Sequence, residues 1–122
     1  MVPAALRSER GKRGEDLAAS LLESEGWRIV ERNYRVRGGE IDIIAAKEGV
    51  LAIVEVKNWS AFDAGELERS ISARKRRRIV ETSQIFLSRN REYRSAQVRY
   101  DVFLLRQGRV ARRLESAFTG ES

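Results

Sequence analysis

The chain has 122 residues, 42% hydrophobic and 34% charged, with a net charge of +6 and a pI near 10.3. That length suits one domain over residues 1–122, with a core at about 11–118 and little room for a second. Cysteine and histidine are both absent, which excludes disulfides, thiolate nucleophiles, Cys/His zinc sites, Ser-His-Asp triads and histidine general bases. Carboxylates, lysine, hydroxyls or a hard metal held by oxygen remain for any chemistry.

The opening "MVPAALRSERGKRG" lacks the apolar stretch of a secretory signal, and Glu9 and Glu15 argue against a transit peptide. The longest apolar run, "VLAIV" at 50–54, suits a strand and is too short to span a bilayer. A cytoplasmic protein with no membrane partner is expected. Residues 9–25 read as a helix with Leu17, Ala18, Leu21 and Leu22 as its apolar stripe and Gly26 as its stop. "WRIVERNY" (27–34) reads as a first strand, closed by a turn at Gly38 and Gly39. Residues 40–46 and 51–57 form a hairpin. A second helix is expected from about Ala64 to Leu87, opened by a capping box at Asp63 and Glu66 and buried through Leu67, Ile71, Ile79 and Phe86. A polar loop at 90–95 leads to a strand at 96–106, and "QG" turns into a last strand at 109–118. The order α-β-β-β-α-β-β predicts an α/β sandwich: a mixed central sheet with a helix on each face.

The hairpin carries Glu40, Asp42, Glu55 and Lys57 among strand-forming apolar residues. A turn centred between Glu48 and Gly49 sets Asp42 opposite Glu55 and Glu40 opposite Lys57, with opposed Cβ atoms roughly 4.5–5.5 Å apart. Two carboxylates facing each other need a cation between them. Lys57 meets part of that need and Mg²⁺ meets more, since it is commonly held by one or two carboxylates beside a phosphate. A salt-bridged, solvated sheet face is the competing reading.

The spacing Asp42-x₁₂-Glu55-x-Lys57 resembles the PD-(D/E)XK signature of restriction-endonuclease-like nucleases. Together with "RGEDLAASLL", "RNYRVRGGEIDII", "IVEVK", "ARKRRRI" and "VRYDVFLL", it resembles the YraN-like family, small bacterial proteins related to archaeal Holliday-junction resolvases. The resemblance covers roughly residues 11–118. It implies a restriction-endonuclease-like three-layer sandwich and a Mg²⁺- or Mn²⁺-dependent endonuclease hydrolysing DNA phosphodiesters, with branched or structured DNA as a candidate substrate. By the same resemblance Asp42, Glu55 and the Val56 carbonyl hold the metal, Lys57 is the catalytic lysine, Glu15 completes the site and Glu40 supports it. Trp59 stands where relatives often carry a basic residue, and an aromatic there can stack on a base.

Twenty of the twenty-four basic residues are Arg, the side chain that pairs bidentately with phosphate. Nucleic acid is therefore the expected partner, the resemblance implies DNA, and a homodimer is carried as a candidate assembly. Lys75, Arg76, Arg77 and Arg78 in the second helix are the expected backbone contacts, with a solvated helix face as the alternative. A non-catalytic nucleic-acid-binding module keeping the nuclease fold is the alternative function. Ser72-x-x-Lys75 matches the S-x-x-K of serine acyl enzymes, but its companion motifs are missing and the chain is too short for that fold.

Overall fold

The computed structural model describes residues 4–58 and 71–120, with side chains from Lys12 onward. The elements are α1 (Ala4–Ser24), β1 (Arg28–Val36), β2 (Gly39–Lys47), β3 (Val50–Asn58), α2 (Ala73–Arg89), β4 (Gln97–Arg106) and β5 (Arg109–Phe118), with a single 3₁₀ turn at Arg91–Tyr93. The five strands form one sheet in the order β1-β2-β3-β4-β5. Neighbours are antiparallel except β3 and β4, which run parallel and are joined through α2. The expected α/β sandwich of mixed strand direction is present.

Each helix covers one face. Ala18, Ala19 and Leu22 of α1 pack on Ile43, Ala45, Ala52, Val54 and Phe103. Gly14, two turns before Leu22 on the same stripe, lies so close to the sheet that a Cβ there would stand 2.6 Å from Leu105 Cδ1. Ile79, Val80 and Phe86 of α2 pack on the other face with Ile44, Leu51, Ile53, Val102 and Leu104. Small residues thus admit α1 and large ones support α2. Gly26, at φ 93°, supplies the left-handed conformation that ends α1.

The helix that packs on the sheet begins at Ala73, after extended backbone at Ser72, so the expected helix does not run unbroken from about Ala64 to Leu87. The expected capping box at Asp63 and Glu66, Leu67 and Trp59 lie outside the described residues. The cap of α2 is Ser72, whose hydroxyl accepts from the Lys75 N–H at 3.2 Å, which gives the Ser-x-x-Lys spacing a structural use. Ile71 is buried ahead of the helix rather than within it. In the other direction α1 reaches back to Ala4, past the polar "AALRSERGKR" that carries no apolar stripe.

The hairpin turn between β2 and β3 is centred where expected and has two residues, with Glu48 and Gly49 both at positive φ (48° and 80°), as a type I′ turn requires. Lys47 pairs with Val50, and the ladder runs in that register to Ile43 and Val54. There β2 and β3 part. β3 continues against β4 as far as Asn58 and Leu105, while β2 continues against β1 as far as Gly39 and Val36. The fork falls at Asp42.

Candidate metal centre and basic cleft

Asp42 sits where the strand alternation breaks. Ile43 belongs to the α1 core and Ile41 to the α2 core, although they are two residues apart on one strand. Opposite, Asn33 adopts a left-handed φ of 51° between the pairs Arg32–Ile43 and Tyr34–Ile41. The Asp42 side chain fills the fork, its Oδ2 accepting from the Val56 N–H at 2.8 Å. One carboxylate oxygen thus stands where the β2 backbone has moved away.

The Asp42 and Glu55 carboxyls line the same cleft, close enough for each charge to act on the other. Burial first, and then the Glu55 charge, push the Asp42 carboxyl up to about 8, against the opposing pull of the Val56 N–H. An acid held this far from its ordinary range needs a proton or a cation to sit comfortably. On the other side of Glu55, the Lys75 ammonium lies 2.6 Å from Oε1. Burial works to lower the Lys75 pKa, but its hydrogen bonds to Glu55 and Lys57 prevail and leave it raised. Lys57 is lowered, by burial first and then by the hydrogen bond and charge of Lys75. Two carboxyls and two lysines therefore form one coupled group.

Glu15 of α1 lies within electrostatic reach of Asp42. Its pKa is raised by burial, with a hydrogen bond from Asn33 and the Arg32 charge opposing; the Arg32 guanidinium is 4.0 Å away. Glu40 pairs with Arg35, its cross-strand partner on β1, at 3.4 Å, and not with Lys57 as the hairpin register suggests. Among the described residues no three acidic side chains converge as a ready-made metal cage. The donors at the fork, two carboxylates and the main-chain carbonyl of Val56, are all hard oxygens. They fit a cation that keeps several waters and takes further ligands from a phosphate.

The group opens into a cleft of about 700 Å³ between the β1–β2 turn and the start of α2. Asp42 and Glu55 lie in it, with Arg35 on the strand side and Arg74, Lys75 and Arg78 on the helix side. The basic run of α2 divides by helical spacing. Lys75 and Arg78, three apart, face the cleft together with Arg74. Arg76 lines a separate hollow beside Arg113 and Phe118, and Arg77 lines neither. The expected contacts Arg76 and Arg77 are thus not cleft residues, while Arg35 and Arg74 are. Helical spacing could have separated Arg78 from Arg77; nothing local to Arg35 marks it.

The family model described as "Uncharacterised protein family UPF0102" matches residues 14–105. The chain belongs to the UPF0102 family. A UPF0102 protein of Persephonella marina (strain DSM 14350 / EX-H1) is 45% identical over 93 residues, covering 76% of this chain and 79% of its own. One from Dechloromonas aromatica (strain RCB) is 51% identical over 78 residues, 64% of this chain and 65% of the other. Another, from Sulfurihydrogenibium sp. (strain YO3AOP1), is 37% identical over 115 residues, 94% of this chain and 98% of its own. The stretch matched to the UPF0102 family includes Glu15, Asp42, Glu55, Lys57, Lys75 and Arg78. Among the described residues no helix is long and apolar enough to cross a membrane.

Proposed function

We propose that this UPF0102 protein is a metal-dependent endonuclease that hydrolyses DNA phosphodiesters, with Mg²⁺ or Mn²⁺ held by Asp42, Glu55 and the Val56 carbonyl. The observation that carries the reading is the paired Asp42 and Glu55 carboxyls in a cleft that also presents Arg35, Arg74, Lys75 and Arg78. A site built only to bind a polyanion has no use for two half-buried acids facing it. A divalent ion bound there supplies charge stabilisation to the phosphoryl oxygens of an in-line displacement. Arg35, Arg74 and Arg78 bind flanking phosphates and fix the backbone across the cleft. Lys57, its proton loosened by burial and by Lys75, positions the attacking water and relays a proton at Nζ. Glu15, beyond Asp42 and engaged by Asn33 and Arg32, orients the acid side of the site.

Glu55 is already neutralised by Lys75, and this favours one second reading: a nucleic-acid-binding module that keeps the fold without turnover. One experiment separates the two. Purified protein is incubated with linear, flapped and four-way DNA in Mg²⁺, Mn²⁺ or chelator, beside Asp42→Asn and Lys57→Ala. The nuclease reading expects divalent-dependent cleavage that both variants lose by roughly 10²-fold or more while still binding DNA. Binding without cleavage on every substrate makes the module reading the correct one. A homodimer presenting two clefts suits a branched substrate with two arms, and light scattering on the purified protein with and without four-way DNA tests that assembly.

A further inference from the structure

The Glu55 side chain is only 11% exposed and that of Lys75 36%. The anion is enclosed, and the cation retains an open route into the cleft. Arg74 precedes Lys75, and Arg78 follows one turn later on the same wall. Swung outward, Lys75 joins that row of cations. An enclosed carboxylate beside a second one needs positive charge close by, and in the protein alone Lys75 supplies it by direct contact with Glu55, with the Lys57 charge nearby. A divalent ion shared by Asp42 and Glu55 meets the same need at the same oxygen, and two cations cannot share it without repulsion.

We infer that Lys75 is a tethered, exchangeable counter-cation: it holds Glu55 while the site lacks a divalent ion, and turns to a backbone phosphate of the nucleic acid once that ion takes Glu55. The inference rests on the metal-dependent reading above and adds a coupling between ion binding and substrate grip. Lysine suits the exchange, with a flexible stem and three rotatable donors, where the rigid fork of arginine favours a fixed pair. Because one carboxylate serves two competing cations, the linkage is reciprocal: removing the tether strengthens ion binding.

The test needs no turnover. Mn²⁺ is titrated into wild type, Lys75→Met and Lys75→Gln without DNA, and free Mn²⁺ is followed by electron paramagnetic resonance. Both variants should bind Mn²⁺ about tenfold more tightly, a difference of about 1.4 kcal/mol. In wild type, acylation of the Lys75 amine, read by mass spectrometry, should speed up several-fold when Ca²⁺ is added, independently of how the variants fold. For duplex DNA in Ca²⁺, the log-affinity against log-salt slope of wild type should exceed that of Lys75→Met by about one phosphate contact, roughly 0.9. In chelator the two slopes should coincide. Equal or weaker Mn²⁺ binding by both variants, an unchanged Lys75 acylation rate, or a slope difference already present in chelator overturns the exchange and leaves the metal site standing. Absence of Mn²⁺ binding by wild type and variants alike overturns the metal-dependent reading itself.

Discussion

Asp42 is an acid that the fold holds near pH 8 rather than its ordinary 3.8, so its replacement by Asn should stabilise the metal-free protein. The neutral amide keeps the local geometry: its carbonyl can accept the Val56 N–H that Asp42 accepts at 2.8 Å, and its NH₂ can donate to Glu55. The magnitude follows from linkage. A shift of about four units, at about 1.4 kcal/mol per unit, sets a ceiling near 6 kcal/mol above pH 8. At pH 7 only about three of those units have been crossed, giving about 4 kcal/mol, and sharing of the proton with Glu55 brings the expectation to about 2–4 kcal/mol. The sign is that of a raised acid: the stabilising effect of the bound proton is complete below the unfolded value of 3.8 and is lost as pH rises through about 8. Wild type in chelator should therefore become less stable from about pH 4 to pH 8, by up to about 1.4 kcal/mol per pH unit. Asp42→Asn should flatten that slope. Urea unfolding at several pH values in chelator measures both, because the linear extrapolation reports stability directly. A variant no more stable than wild type at about pH 7, or one with the same pH slope, would refute the account of a destabilised, proton-seeking acid.

Gly39→Ala should lower stability by about 1–3 kcal/mol or more, since its Cβ would stand 2.0 Å from Thr82 Oγ1; thermal melts of Gly39→Ala and Gly39→Ala/Thr82→Ala check this, the double variant recovering part of the loss. Arg99→Ala should cost about 3 kcal/mol or more in urea unfolding, because it strips the bidentate partner from the fully buried Asp101 and leaves only the Ser116 N–H. Replacing Arg74 and Arg78 together by Ala should weaken duplex DNA binding and reduce the salt slope by about two contacts at roughly 0.9 each, while Arg77→Ala changes neither; equal effects from both would place the grip outside the cleft.

Much of the sheet is legible in the chain because local rules decide it. Alternation and the Glu48-Gly49 turn give the hairpin and its register, and the same register brings Asp42 towards Glu55. Arg99 and Asp101, alternate residues of β4, pair as their spacing suggests. What escapes is whatever depends on partners distant in sequence or on a broken rule. Glu40 turns to Arg35, its directly opposed partner on β1, and only the β1–β2 register reveals that. Lys75 meets Glu55 across a parallel crossover whose docking no local pattern encodes. The cap at Ser72 is hard to see in the chain, because it has only Lys75 behind it and no acidic residue in the first turn. Strict alternation also fails at Asp42, opposite the left-handed Asn33, where Ile41 and Ile43 go to different cores.

The parting of β2 from β3 has a mechanical consequence. Past Ile43 and Val54 the sheet is divided like a pair of tongs: β1 and β2 form one arm, and β3, β4 and β5 form the other. Glu55 and Lys57 are fixed in the stiffer arm by their pairing with β4. Asp42 and Arg35 ride on the lighter arm, whose tip rests on α2 where Gly39 meets Thr82. A small lean of that tip would change the spacing of the two carboxyls and the width of the cleft together. An object gripped between the arms and an ion gripped between the acids would then be felt through a single hinge.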